Sequence, residues 1–319
     1  MPDDAELELR VVMPVHDAGQ YLQEALTSVL DDLPERSELV VVDDGSSDSS
    51  PSLIAATTDT DPRVRVVRHA TAQGVSRALN AGISAPGCPE FIAVAEHDDV
   101  VLPGRFAAQL DALRRDRRLG AVSSEGRYLG PEGRTAGRVA NGPRTPEEFA
   151  EQRAAGTAML IPHPGVMYRK SALDESGLYD PAFDSAQDLE IMNRLVYGAG
   201  WSLQILPHRH FLYRVHPGAM SFSHLTLQRL MTRYVAYRNS RQLLGAPFDD
   251  FETWRSANTP TTRTRLTWFR KDRGALMFRR AGLAWVSRRP LSFAGNLIGA
   301  TVLHPRWVLM KLRVARGGS

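Results

Sequence analysis

Three nearly continuous apolar runs, each followed by a polar turn, organise the first half of the chain: Leu9-Arg10-Val11-Val12-Met13-Pro14-Val15, Leu39-Val40-Val41-Val42 and Phe91-Ile92-Ala93-Val94-Ala95. Short apolar runs bounded by turn residues read as buried strands. Between and after them, residues 19–30, 74–85 and 104–116 have the composition and spacing of helices. Alternating strands and helices predict βα units on a mostly parallel sheet over residues 8–120. The pattern then becomes irregular over residues 121–222, with Gly- and Pro-rich connections around 126–146 and 161–165. From residue 225 to 244, Leu225, Leu227, Leu230, Met231, Val235 and Leu243 predict a further helix. After a linker near 257–262, the tail interleaves Trp268, Phe269, Met277, Phe278, Trp285, Phe293, Trp307 and Leu309 with arginines. The expected organisation is an α/β unit over residues 1–222, nucleotide-binding in 8–120 and acceptor-binding in 121–222, with a helical extension over 223–319.

A chain of 319 residues with 43% hydrophobic content can bury one large core or a core and a smaller appendage. The net charge of +3 conceals an asymmetry, because residues 261–319 carry thirteen Lys and Arg against one acid, Asp272. An acidic body thus precedes a basic tail. Basic residues interleaved with aromatics suit an interfacial helix on an anionic membrane surface, or a subdomain packed against the acidic body. Nucleic acid is disfavoured as a partner, since no recognised reading module accompanies the charge. The acidic start, Met1 to Glu6, lacks the features of a secretory signal. The longest apolar candidate, Pro290–Leu303, falls short of the ~18–20 residues that span a bilayer. The single Cys88 forms no internal disulfide, which suits a reducing cytosol. The expected location is cytoplasmic, or peripheral at the inner face of the membrane.

The strand ends carry the chemistry. Glu96-His97-Asp98-Asp99 follows the third apolar run, and Asp43-Asp44-Gly45-Ser46-Ser47-Asp48 follows the second. Carboxylates crowded at the end of a buried strand repel one another and lose hydration, so a divalent cation between them is the natural remedy. Hard oxygen ligands suit Mg²⁺ or Mn²⁺, with a substrate phosphate completing the shell. In open α/β sheets ligands bind beyond the carboxyl ends of the strands, so these segments and His16-Asp17 describe one crevice. Gly45 permits close approach of a base or ribose to Asp44, whereas Asp43–Ser46 could equally build an Asx turn and helix cap. Arg77, in a helix opened by Gly74, is placed to attract phosphate. Asp188 precedes Leu189, Met192, Leu195 and Val196, an apolar set at helical spacing, and so occupies a first helical turn.

The ordered motifs V-V-M-P-V-H-D at 11–17, V-V-D-D-G-S-S-D at 41–48, G-V-S-R-A-L-N-A-G-I at 74–83, Glu96 to Asp99, Ala186 to Leu195 and Tyr213 to Ser221 resemble the inverting family 2 glycosyltransferases of the GT-A fold. The resemblance covers residues 8–222. It implies a Rossmann-like mixed sheet flanked by helices, followed here by a basic helical extension. It further implies that Pro14, His16, Asp17 and Asp44 line the base pocket, with Arg77 on the donor. Asp98 and His216 would hold Mn²⁺ or Mg²⁺, Glu96 and Asp99 would support the metal or touch ribose, and Asp188 would be the general base. The family often carries Asp where this chain has Glu96, and Glu where it has Gln187. The implied partners are a nucleotide-diphosphate sugar, UDP-like, and a glycan or lipid-linked acceptor that receives a single sugar.

Alternatives divide by motif. A G-x-G-x-x-G turn and a Walker sequence are both missing, which disfavours dehydrogenases and P-loop NTPases. A nucleotidyltransferase would share the strand-end carboxylates but needs no Asp188. A catalytically silent sugar-nucleotide-binding scaffold would need no trio of Asp98, Asp188 and His216.

Overall fold

A computed structural model describes residues 7–130, 132–183, 185–216, 225–258 and 262–316 of the chain. Pro217 to Ser221 of the last motif, the acidic start Met1 to Glu6, Asp184 of the expected acceptor region and residues 259–261 of the expected linker lie outside them. The first half alternates β1 (Leu9–Val15), α1 (Leu22–Asp32), β2 (Ser37–Asp44), α2 (Ser50–Thr60), β3 (Val64–His69), α3 (Val75–Ile83) and β4 (Phe91–Val94). Then come β5 (Val100–Val101), α4 (Arg105–Arg115), β6 (Leu119–Leu129), β7 (Thr135–Val139), α5 (Pro146–Ala154), β8 (Met167–Arg169), α6 (Lys170–Ser176), α7 (Gln187–Asn193) and β9 (Ser202–Arg214). Among the described residues the strands form one sheet in the order β3-β2-β1-β4-β8-β6-β9-β5, with β7 on β6.

β3, β2, β1 and β4 run parallel, whereas β8 pairs antiparallel with both β4 and β6, making the sheet mixed. The chain winds outward from β1 to β3 and returns to place β4 on the other side of β1. The carboxyl ends of β1 and β4 therefore flank the switch in strand order, where open α/β sheets bind ligands. The near-continuous apolar runs follow from burial on two faces. Leu9, Val11, Met13 and Val15 pack with Leu22, Leu26 and Val29 of α1. On the opposite face Val12, Val40, Val42, Ile92 and Val94 pack with Ala78, Leu79 and Ile83 of α3.

Helix α1 starts at Leu22 rather than at the expected residue 19. The backbone N–H groups of Ala18 and Gly19 are taken by Ser50 Oγ (2.9 Å) and Asp48 Oδ2 (2.8 Å), which fixes this stretch as a link between the first two strand ends. Arg10 interrupts the apolar run of β1 for an equally specific reason. Its guanidinium is fully buried, donates to Glu38 Oε1 at 2.6 Å, and donates to the carbonyls of Ile83, Ala85 and Pro86 at 2.7–2.9 Å, capping the end of α3.

The extension begins with α8 (Leu225–Leu243) and α9 (Phe251–Ala257), continuing as α10 (Thr262–Val286), α11 (Pro290–Leu303) and α12 (Pro305–Arg316). The first helix of the extension, α8, which precedes the basic tail, packs on the α/β unit. Arg238 of α8 donates to Glu190 Oε1 of α7 (2.6 Å), and Asn239 donates to Asn193 Oδ1 (2.8 Å), both in the interior. Phe183, Leu189, Tyr234, Val235 and Trp254 close an apolar cluster over the same contact. Helix α10 attaches to α8 through Asp272, which pairs with Arg229 and Arg233, while Arg233 also lies 4.1 Å over the Trp268 ring.

Replacing Arg10 by Ala leaves the buried Glu38 with only the partly exposed Arg65, 3.3 Å away, and uncaps α3. Urea unfolding should show a loss of about 3–5 kcal/mol, the cost of breaking a buried pair from one side.

Candidate active site

The loops after β1 and β2 are laced together before any ligand is considered. Asp17 takes a positive φ of 49°, and its Oδ1 accepts from the backbone N–H groups of Ser47 (2.7 Å) and Asp48 (3.3 Å). These bonds, the Ser47 one foremost, hold its carboxyl below the usual aspartate range. His16 donates from Nδ1 to the Asp44 carbonyl at 2.9 Å, and half of its side chain faces solvent. Asp43 closes the Asx turn onto Ser46 N–H at 3.0 Å. Gly45 has φ +71°, and a Cβ there would sit 2.7 Å from the backbone of Thr71 and Ala72, so the loops after β2 and β3 approach too closely at this point for a side chain.

Asp44 is buried and heavily engaged. Its carboxylate accepts from His69 Nδ1 (2.6 Å), from Gln73 N–H (3.0 Å) and from Gly74 N–H (2.9 Å). Burial pushes its proton affinity up, but these three bonds outweigh burial and leave the group below its ordinary value. Asp44 thereby fixes the start of α3, where Arg77 stands exposed and donates to the Gln73 carbonyl just ahead of the helix at 3.3 Å.

The four residues after β4 part company. Glu96 turns inward, and His163 Nδ1 donates to its Oε1 at 2.8 Å. His163 Nε2 lies 2.9 Å from the Tyr179 hydroxyl, which donates onward to Tyr168 at 3.3 Å. Both His163 nitrogens face oxygen atoms, an arrangement that favours the charged imidazole. Burial opposes that charge, but the Glu96 bond, the Glu96 charge and the charge of Asp188 overcome it and raise the His163 pKa. His97 points back and donates to the Pro14 carbonyl at 3.1 Å, tying β4 to β1.

Asp98 and Asp99 meet the end of β9. Asp99 Oδ1 accepts from Arg214 N–H at 2.7 Å, while its buried Oδ2 has no hydrogen-bond partner among the described residues. Burial, followed by the Asp98 charge, pushes its carboxyl well above the usual range. The Arg214 side chain donates to the Asp98 carbonyl (2.7 Å) and to Glu24, and it stacks 4.4 Å over Tyr21. Two residues later, His216 Nε2 donates to Asp98 Oδ2 at 2.9 Å, with its ring 5.3 Å from that of Tyr21. Burial works to raise the Asp98 pKa, and the His216 bond with the neighbouring His97 and His216 charges brings it below the ordinary value.

An imidazole nitrogen and a carboxylate oxygen from different strands, in contact at a loop that also holds an unpartnered buried oxygen, suit Mn²⁺ or Mg²⁺ in donor type. Among the described residues no three His, Cys, Asp or Glu side chains form a self-sufficient metal cage. The donor set therefore fits a cation whose remaining positions are filled by phosphate oxygens and water.

Asp188 sits in the first turn of α7, its Oδ1 accepting from Leu189 N–H at 2.7 Å. Its charge acts on His163, Tyr168 and Tyr179, the cluster that also holds Glu96. The seat of α7 is built from Glu190, 1% exposed, which accepts from Arg194 (2.7 Å) and Arg238 (2.6 Å). Glu190, Arg238 and Arg105 were not among the site residues expected from sequence, and His163 fell in the expected acceptor half without a role of its own. The sequence signals were slight: a histidine in a Pro/Gly connection, and an acid adjoining the expected base.

A family model described as glycosyl transferase family 2 matches residues 10–177, more than half of the sequence. The chain belongs to that family. A glycosyltransferase of Streptococcus pneumoniae, GlyG, is 37% identical over 94 residues, which cover 29% of this chain and 31% of the relative. The matched segment is thus under a third of that protein's length. Among solved structures, residues 1–349 of Staphylococcus aureus TarS in complex with UDP superpose with a TM-score of 0.56 at 15% identity, covering 94% of this chain and 91% of that one. The mannosyltransferase PcManGT of Pyrobaculum calidifontis, in complex with GDP-Man and Mn²⁺, gives a TM-score of 0.55 at 17% identity over 95% and 88% of the two chains. These likenesses establish the GT-A-type fold expected from sequence.

Because the Asp44 pKa is lowered on folding, its contribution to stability is present above the ordinary value of 3.8 and lost as pH falls through the lower folded value. Asp44→Asn should therefore cost about 1–3 kcal/mol at neutral pH. Urea unfolding of the two proteins at stepped pH should show that gap closing in acid.

Proposed function

We propose that this protein transfers a single sugar from a nucleotide-diphosphate donor to a hydroxyl of a glycan or lipid-linked acceptor, with inversion at the anomeric carbon. The observation that carries the reading is the meeting of Asp98 and His216 at the switch in strand order, with Asp188 at the start of a helix whose charge reaches the cluster around Glu96.

Pro14, His16, Asp17 and Asp44 frame the base and ribose side of the crevice, with Asp44 and Asp17 acting mainly by fixing the loops that the nucleotide contacts. Glu96 and Asp99 shape the loop that presents Asp98, and Arg77 borders the crevice from α3. Asp98 and His216 would hold Mn²⁺ or Mg²⁺, which when bound neutralises charge developing on the diphosphate. The support from relatives is of the same kind: TarS with UDP and PcManGT with GDP-Man and Mn²⁺ bind such groups.

Asp188 removes the proton from the acceptor hydroxyl as its oxygen bonds to the anomeric carbon. The bond from that carbon to the diphosphate oxygen breaks in the same step, and the nucleoside diphosphate leaves with the bonding electrons. No second carboxylate forms a glycosyl-enzyme in this scheme, so one displacement inverts the configuration. The N-terminal field of α7 favours the Asp188 anion before the reaction.

Isothermal titration with UDP, GDP and dTDP, with and without Mn²⁺, tests the donor site. One nucleotide should bind in a metal-dependent manner, and Asp98→Ala should abolish that dependence; absence of binding by all three overturns the reading. In a sugar-transfer assay Asp188→Asn should lower kcat by roughly 10²–10⁴-fold while nucleotide affinity stays within about twofold. A nucleotidyltransferase would keep its activity through that substitution.

A further inference from the structure

Helix α11 is the one stretch of the tail with no charged side chain: its fourteen residues read Pro-Leu-Ser-Phe-Ala-Gly-Asn-Leu-Ile-Gly-Ala-Thr-Val-Leu. Its inner side packs on α10 and α12, with Ala300 fully buried, Met277 covering Gly299 and Leu303 lying against Gly274. Its outer side is equally apolar. Leu291, Gly295, Ile298 and Val302 recur at helical spacing, and Leu291, Ile298 and Val302 are 89%, 64% and 72% exposed. Isolated exposed apolar residues are ordinary on a surface, but an aligned stripe on an uncharged helix marks a contact surface.

The charge around the stripe selects its partner. Arg288 and Arg289 immediately precede α11, Arg306 follows it at the start of α12, and all three are exposed. Leu309 and Met310 add exposed apolar surface on α12. Thirteen basic residues against Asp272 make this tail strongly cationic, and Asp272 is already paired with Arg229 and Arg233. Two copies apposed through this face would bring their arginine-rich rims together and repel. An anionic bilayer offers the complement: acyl chains for the stripe and acidic headgroups for the arginines, whose aliphatic stems tolerate the boundary. Fourteen residues are too few to span a bilayer, which needs about 20, and among the described residues no helix is long and apolar enough to cross a membrane.

We propose that α11 lies in the plane of an anionic membrane surface, its Leu291–Ile298–Val302 stripe buried among the lipids and its flanking arginines on acidic headgroups. This docking is independent of the transfer reaction proposed above.

Flotation of the full chain with vesicles of phosphatidylcholine, alone or mixed with phosphatidylglycerol, tests it. The protein should float with the mixed vesicles and much less with the neutral ones. Ile298→Glu and Leu291→Glu should each reduce partitioning at least tenfold while leaving the circular dichroism spectrum and melting temperature near those of the parent. Should Ile298→Glu fail to fold, Leu291→Glu carries the test, because Leu291 is 89% exposed and supports little packing. The proposal is overturned if the parent does not float with the anionic vesicles, or if a folded variant floats as well as the parent. A parent that is dimeric by light scattering, and that these substitutions render monomeric, would instead assign the stripe to a second copy.

Discussion

The crowding of Glu96, Asp98 and Asp99 at the end of a fully buried strand is the constraint around which this molecule is arranged. Left alone, these carboxylates would repel one another and pull the end of β4 toward water. Basic side chains from three separate parts of the chain prevent that. Arg105 lies completely buried beneath the loop, donating to the Val94 carbonyl at 2.7 Å and the Val166 carbonyl at 3.1 Å. Burial drops its pKa to about 10, and the charges of Asp32, Asp99 and Glu96 work in the opposite direction to keep it protonated. Arg214 braces the loop from β9, and His163 takes Glu96 aside. The outcome is selective: Asp98 is left with its carboxylate directed at His216, Glu96 is held by His163, and Asp99 keeps one buried oxygen without a partner among the described residues.

Much of this was legible in the chain. The strands could be read because burial on both faces leaves continuous apolar runs, and their polar ends because the composition changes abruptly at Asp43, His16 and Glu96. The helices α3, α4 and α8 fall within one or two residues of expectation, since Gly74 and Gly104 mark two of their starts. Helix α1 was read about three residues early because side chains from the next loop, Asp48 and Ser50, occupy the N–H groups that would have begun it.

What could not be read were partnerships between distant residues. Nothing in the local spacing of His163-Pro164-Gly165 announces that the imidazole will meet Glu96, 67 residues earlier. Arg10 within an apolar strand and Arg105 at a helix start look like ordinary surface arginines until the sheet closes over them. The same holds for Asp44, whose carboxylate is equally suited by chemistry to a nucleotide and to the 73–74 backbone. The lone acid of the tail stood out in the sequence without its partner being readable, and Asp272 joins α10 to the arginines of α8.

The buried contact of Glu190 with Arg238 has a consequence for where the catalytic unit ends. The match to the family model ends at residue 177, yet Arg238 and Asn239 reach back from α8 to the helix that carries Asp188 in its first turn. A cut placed at the end of the recognisable motifs would strand Glu190 in the interior with only Arg194 as counterion and uncover Phe183 and Leu189, which pack against Tyr234, Val235 and Trp254. A cut anywhere between α7 and α9 severs these buried contacts, so α8 and α9 would have to move with the sheet in any shuffling of this domain between proteins.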